Sequence, residues 1–305
     1  MPISKREPQR CLTMKIKLYK YQGAGNDFIV VDNRTDRYNL TTEQIAKLCD
    51  RRYGVGGDGF IYLRSSDKLD FAMQYFNADG KEGTFCGNGG RCLIAFAARM
   101  GIKSYHFDAA DSPHLGKVIE YTPFSSMIEL SMGDLSKIKK HSPKSLFLNT
   151  GSPHLVLFID NLDSHDVDSA GKLWRHHPSF VGGTNVNFVQ GNWGRDSSKW
   201  SRSLEEGAPL ELSVRTYERG VEAETLSCGT GVVASAIAYH KLLTAPSPYL
   251  RRRDGASQKR IIAKVKTLGG VLEVEFNYNG GESYSHIILR GEATYVFESE
   301  VDINI

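Results

Sequence analysis

The sequence predicts an α/β chain made of two similar domains, and three observations carry that prediction. An order of apolar strand-like runs and short helices in the first half returns, imperfectly, in the second. Each half has a cysteine where a glycine-rich loop turns into a helix of small apolar residues: Cys86-Gly87-Asn88-Gly89, and later Cys228-Gly229-Thr230-Gly231. The length of 305 residues suits two domains with a core each.

The elements follow in order. Residues 1–13 are polar, contain two prolines and lack an apolar h-region. They are set aside as a disordered leader or an over-extended start, and Cys11 goes with them. Ile16, Leu18 and Tyr21 open a strand, residues 28–31 form a second, and residues 22–27 make a tight loop between them. Thr41 and Gln44 form a capping box, with Ile45, Leu48 and Cys49 at helical spacing. That helix is expected to end near Arg52, with Cys49 as a small core residue. A glycine loop at 54–59 leads to strands at 60–64 and 71–76. The helix after Cys86 should stop at Gly101, and strands are expected near 105–109, 117–121 and 127–132. Residues 133–143, rich in Lys and Ser, look like a linker between domains 14–140 and 141–293.

In the second half a strand at 155–159, a helix at 166–177 and a glycine loop at 182–185 repeat the earlier order. Strands at 187–190 and 210–217 lead to Cys228, whose helix should run to about Leu243. Strands at 261–267, 271–278, 283–290 and 294–297 complete the chain. Residues 193–209 and 245–260 are hydrophilic inserts, expected as surface loops. The second contains Arg251-Arg252-Arg253, but no aromatics interleave with the charges, so a solvated loop outweighs a nucleic-acid patch.

Composition bounds the function. Apolar residues make up 40% and charged residues 24%, as in soluble globular chains, and a net charge of +3 points to neither nucleic acid nor membrane. No apolar run approaches a membrane span. Five scattered cysteines make no disulfide framework, and without a Cys-x-x-Cys pair a structural zinc site is not expected. A reducing, cytoplasmic compartment fits that usage.

The two cysteines carry the chemistry. A helix N-terminus offers unpaired N–H groups and the positive end of the dipole. A thiol placed there is expected to have a lowered pKa. The same N–H groups can hold a carboxylate, and glycines let it approach the backbone. Two facing sites of this kind could remove a proton from a carbon beside a carboxylate and return one to the other face. That inverts a stereocentre with no pyridoxal phosphate and no metal. Each motif also has a plain structural use: a single Cys-Gly pair is more often packing, and Gly87-Asn88-Gly89-Gly90 matches neither a Walker loop nor a Rossmann fingerprint. Cys92 is expected as buried packing, with a Cys86–Cys92 redox pair the weaker option.

At these residues the chain resembles the diaminopimelate epimerase family over nearly all of 14–305. The matching pieces include Gly23-Ala24-Gly25-Asn26-Asp27-Phe28, Phe76-Asn77-Ala78-Asp79-Gly80 and Cys86-Gly87-Asn88-Gly89-Gly90-Arg91-Cys92. Ser152-Pro153-His154, Asn185-Val186-Asn187, Tyr217-Glu218-Arg219-Gly220 and Glu224-Thr225-x-x-Cys228-Gly229-Thr230-Gly231 follow in the same order. The resemblance implies two pseudo-symmetric domains, each a curved, mostly antiparallel sheet around a central helix, with the site in the cleft between them. Its last strand, within 294–305, would return to the first domain. It implies cofactor-free interconversion of LL- and meso-2,6-diaminopimelate, for lysine and peptidoglycan precursor synthesis, by a cytoplasmic homodimer. Cys86 and Cys228 would be the acid/base pair. Gly87, Asn88, Gly229 and Thr230 would hold the reacting carboxylate, and Asn26, Asn77, Asn185, Glu218 and Arg219 the distal end. Ser152 and His154 are secondary candidates.

Three departures stand out. Many members carry Gln where this chain has Gly59, so no side chain can reach substrate from there. Members often have Asn where Ser152 stands, a shorter group suited to a water-mediated contact. Residues 220–224 are one residue longer than the commoner form. Proline racemase and hydroxyproline epimerase relatives are the nearest alternative, but they typically have His where Asn88 stands. Phenazine-synthesis isomerase relatives lack the cysteine pair. A non-enzymatic thiol redox or ligand-binding protein is the remaining alternative, and it has no need of a second domain's cysteine.

Overall fold

The computed structural model describes residues 13–191, 208–244 and 259–304. The first half runs β1 (Thr13–Gly23), β2 (Asn26–Asp32), α1 (Thr42–Cys49), β3 (Gly59–Arg64), β4 (Phe71–Asn77), α2 (Gly87–Arg99), β5 (His106–Asp108), β6 (Pro113–Tyr121) and β7 (Ser125–Met132). The second begins with β8 (Ile138–Ser142), β9 (Ser145–Asn149), β10 (Pro153–Phe158), α3 (Val167–Arg175) and β11 (Asn185–Gly191). It continues with β12 (Leu210–Glu218), β13 (Ala223–Thr225), α4 (Gly229–Leu243), β14 (Lys259–Thr267), β15 (Gly270–Gly280) and β16 (Ser283–Asn304).

Strand pairing repeats. From β1 to β7, neighbours pair antiparallel, parallel, antiparallel, parallel, antiparallel and antiparallel. The path β9, β10, β11, β12, β14, β15, β16 steps through the same order. β16 joins the halves. It pairs with β15 and β7 through its first part and with β1 through Thr294 to Asn304, so the first sheet closes into a ring. In the second half, Leu135 bridges to Tyr284 on β16 near the start of β8. The result is a sheet-dominated α+β fold with α2 inside one curved sheet and α4 inside the other.

Side-chain periodicity explains the layers. Phe28 and Val30 of β2 point inward to the core around α2, while Ile29 and Val31 point outward to the cluster under α1. β3 does the same with Ile61 and Leu63 against Phe60 and Tyr62. A strand covered on both faces needs apolar residues at every position. α2 is buried at every position from Gly87 to Ala97, as a helix enclosed by a sheet must be. The smaller cluster under α3 includes Val167, Val186, Phe188 and Tyr217.

Several boundaries differ from the sequence expectation. α1 has its capping box, Gln44 N–H to Thr41 Oγ1 at 3.3 Å and Thr41 N–H to Gln44 Oε1 at 2.8 Å. It ends at Cys49, because Asp50 turns extended and its carboxylate takes the Arg52 and Tyr53 N–H groups at 2.7 Å each. The supposed linker at 133–143 contains β8, an edge strand whose only fully buried side chain is Ile138. The expected final strands at 283–290 and 294–297 are one strand of 22 residues. Thr13, placed in the leader, pairs with Asn304. Residues 1–12 and Cys11, most of both inserts and Arg251-Arg252-Arg253 lie outside the described residues. Arg260, at the end of the second insert, sits on β14 and pairs with Glu275 at 2.7 Å. No described helix is long and apolar enough to cross a membrane.

Candidate active site

The two cysteines occupy equivalent places. Cys86 is the N-cap of α2 with φ −122° and ψ 113°, and Cys228 is the N-cap of α4 with φ −118° and ψ 111°. Neither first turn has an acidic residue to occupy the free N–H groups. The helices meet start to start. A methyl group on Gly229 would lie 3.2 Å from the Gly87 Cα, and one on Gly87 would lie 3.5 Å from the Gly229 Cα. Leu289 of β16 backs both contacts.

A cleft of about 340 Å³ opens over this junction. Its wall contains Cys86, Gly87, Asn88, Cys228, Gly229 and Thr230 at the junction, and Asn26, Asn77, Ser152, Asn185, Glu218 and Arg219 around it. Every site residue expected from the sequence therefore lines one cavity, except His154. That side chain is fully buried behind the wall, with its Nε2 2.9 Å from both Ser152 Oγ and Thr230 Oγ1.

Hydrogen bonds fix the orientation of these groups. Asp58 Oδ2 accepts from Asn26 Nδ2 at 2.8 Å, which turns Asn26 Oδ1 toward the Cys86 thiol, 3.7 Å away, and toward Asn88 Nδ2 at 3.3 Å. Lys20 and Arg51 clamp this loop by pairing with Asp27, each at 2.6 Å. Asn88 Nδ2 also donates to the Ser227 carbonyl across the cleft at 2.9 Å, and Arg91 Nη2 donates to Asn88 Oδ1 at 2.9 Å. On the other side Thr230 Oγ1 lies 3.5 Å from Cys228 Sγ. Thr216 donates to Asn187 Oδ1, and Asn187 Nδ2 donates to His154 Nδ1 at 3.0 Å. Burial lowers the His154 pKa to about 3 and keeps the ring neutral. Its proton therefore sits on Nε2, facing Ser152 and Thr230. Asn185 accepts the Arg219 N–H at 2.9 Å and donates to Ser152 Oγ, tying three segments of the second half together. Glu218 accepts from Thr225 Oγ1 at 2.6 Å.

The thiols depart from the sequence expectation. Both were expected low; both are high. Burial pushes the Cys86 thiol up to about 11, and the Asn88 and Gly89 N–H groups pull it down only in part. Burial also raises Cys228 well above the usual thiol range, with the Glu218 carboxylate adding to the rise. Desolvation of the thiolate outweighs a few N–H dipoles in so closed a site. Burial raises Glu218 as well. Cys92 is fully buried in the core, as expected, and burial carries its thiol to about 12.

Eight wall residues lie outside the expected set, and three of them bear on the site's chemistry. Tyr75 lies two positions before Asn77 on β4, so the strand's period of two puts both on one face, and that signal was available. Arg175, at the end of α3, reaches the cleft with its Nε on Glu222 at 2.9 Å, and no motif marked it. The Ser227 hydroxyl is buried with no hydrogen-bond partner among the described residues. Among those residues no cluster of three or more His, Cys, Asp or Glu could hold a metal ion.

Comparison with known proteins agrees with this geometry. The family model described as diaminopimelate epimerase matches residues 18–111 and 146–296. A diaminopimelate epimerase of Flavobacterium psychrophilum is 41% identical, over 94% of this chain and 100% of its own length. One of Chlorobaculum tepidum is 40% identical over 92% of this chain and 99% of its own. Among solved structures, a phenazine biosynthesis protein of the PhzF family from Bacillus anthracis superposes with a TM-score of 0.65 at 15% identity, covering 95% of this chain and 100% of that one. A hydroxyproline epimerase from Agrobacterium vitis does so with a TM-score of 0.59 at 12% identity, covering 95% and 93%. At those identities the likeness is one of fold alone.

Proposed function

The chain belongs to the diaminopimelate epimerase family, and on that premise we propose that it interconverts LL- and meso-2,6-diaminopimelate with Cys86 and Cys228 as its two bases. One cysteine, as thiolate, takes the α-proton onto its sulfur. The opposing thiol gives its own proton to the other face of the same carbon. The two thiols then hold exchanged protonation states, so the reverse reaction starts from the other side. N–H groups at Gly87, Asn88, Gly229 and Thr230 take the reacting carboxylate, where negative charge grows in the transition state. Arg219, which has no carboxylate partner among the described residues, receives the distal carboxylate, and Glu218 the distal ammonium. Asn26, Asn77 and Asn185 complete that end. Ser152 lines the cleft beside the Cys228 jaw, and His154 stands behind it.

The meeting of two cysteine-capped helix starts at the Gly87–Gly229 contact is the observation that carries this reading. A one-base racemase has no use for it. The raised thiols fit the reaction as well, because a thiolate whose conjugate acid lies near 11 is a strong base toward a C–H bond. Little of it is populated at rest, so the chemistry waits on substrate and its cleft contacts.

The same reading makes the protein a cytoplasmic homodimer that acts on a small molecule, not on nucleic acid or a membrane. We also divide the domains near residue 137 rather than 140, since β8 pairs with β9, and assign 294–304 to the first. The test is proton–deuterium exchange at the α-carbon of LL-diaminopimelate in D2O with reduced protein. Exchange with formation of the meso isomer is expected, and Cys86→Ala and Cys228→Ala should each abolish epimerisation. Full turnover by either variant contradicts the two-base roles.

A further inference from the structure

Tyr75 sits in a slot made by two missing side chains. A Cβ at Gly59 would lie 2.6 Å from the Tyr75 ring, and one at Gly83 would lie 2.7 Å from it. Neither glycine has a positive φ. Neither place needs glycine for its φ, so what they supply is room: for the ring at both, and at Gly59 also for the Phe76 carbonyl, 2.8 Å from such a Cβ. The ring enters that room from β4, with Phe28 edge-on at 6.3 Å between centroids. Its hydroxyl donates to Asn77 Oδ1 at 3.1 Å, and both residues line the cleft with Asn26 and Glu218. With Oδ1 engaged, the Asn77 amide presents its N–H donors to the cleft. Burial raises the phenol well above its usual range, so it stays a donor at every working pH.

We propose that Tyr75, seated between Gly59 and Gly83, is a positioning and specificity residue for the far end of the substrate. It fills the room left at the two glycines and turns the Asn77 amide toward the distal carboxylate. The proposal rests on reading the cleft as a diaminopimelate site.

Three proteins test it, with kcat, KM and melting temperature measured for each: wild type, Tyr75→Phe and Tyr75→Ala. Tyr75→Phe should raise KM for LL-diaminopimelate about five-fold, with kcat within two-fold and the melting temperature unchanged. Tyr75→Ala should raise KM more than ten-fold. An unchanged KM in Tyr75→Phe or in a folded Tyr75→Ala overturns the proposal while leaving the epimerase reading intact. Absence of turnover in the wild-type protein overturns both.

Discussion

Replacing Gly229 with alanine sets a methyl group against the opposite jaw. It would lie 3.2 Å from the Gly87 Cα, 3.2 Å from Leu289 Cδ2 and 3.3 Å from Asn88 Oδ1. Carbon atoms prefer about 3.5–4.0 Å. Leu289 can turn aside, but Gly87 is helix backbone, and Asn88 is held by Arg91 and by the Ser227 carbonyl. Overpacking of this sort costs about 1–3 kcal/mol, and the better helix propensity of alanine offsets less than about 1 kcal/mol of it. The remaining strain is relieved most simply if the two helix starts part by a few tenths of an ångström. Since a shift of about 1 Å in reacting groups costs roughly a hundred-fold in rate, a parting of about half that should lower kcat roughly ten-fold. Gly87→Ala is the control: its nearest contacts would be 3.4 Å to Leu289 and 3.5 Å to Gly229, which is ordinary packing. The assay is kcat for LL-diaminopimelate with a melting curve for each variant. Equal damage from the two alanines, or wild-type kcat in Gly229→Ala, would refute the reasoning.

Two further outcomes follow from the charges. Thiolate is the form that alkylates, and Cys86 is raised to about 11, so its population moves to higher pH. In a Cys228→Ala background the iodoacetamide rate at Cys86 should keep climbing past pH 9; a midpoint at or below about 8.5, the free thiol value, would contradict the burial argument. Lys20→Met should destabilise the protein by about 2–4 kcal/mol at pH 7, because it leaves the Asp27 carboxylate with Arg51 alone. Burial opposes the Asp27 charge, but Arg51 and Lys20 together hold its carboxyl well below the ordinary range. Its stabilisation is therefore present above about pH 4, the unfolded value, and fades as the acid range is entered. Urea midpoints of the two proteins should draw closer as pH falls below about 4, and a gap that widens there would count against this.

What the sequence made legible was whatever local chemistry encodes. The α1 capping box, the small-residue helices behind Cys86 and Cys228 and the stop at Gly101, with φ +85°, are written in a few adjacent residues. The cleft-lining residues were legible because they cluster in short motifs. What was hidden depends on neighbours distant in the chain. β8 reads as linker since an edge strand needs only Ile138 buried. Gly291 reads as a break between strands, yet it lies within β16. A Cβ there would run into Leu272 and come 3.0 Å from Arg91 Nε, so its role is to admit these two buried side chains. The thiol pKa values were misjudged for the same reason: dipoles are local and can be read, whereas burial is a property of the finished cleft.

β16 has a consequence for how the chain acquires its shape. Residues as far apart as Thr13 and Asn304 are ladder partners, and the same strand also borders β7 and β15. The first ring stays open until its last border arrives from beyond the whole second half. Contacts so distant along the chain make assembly slow, because a long loop must close before any ladder bond rewards it. They also bind the fate of the two halves together. Despite its duplicated plan, the protein should melt in one cooperative step, and a chain cut short before residue 294 should lose order in both halves.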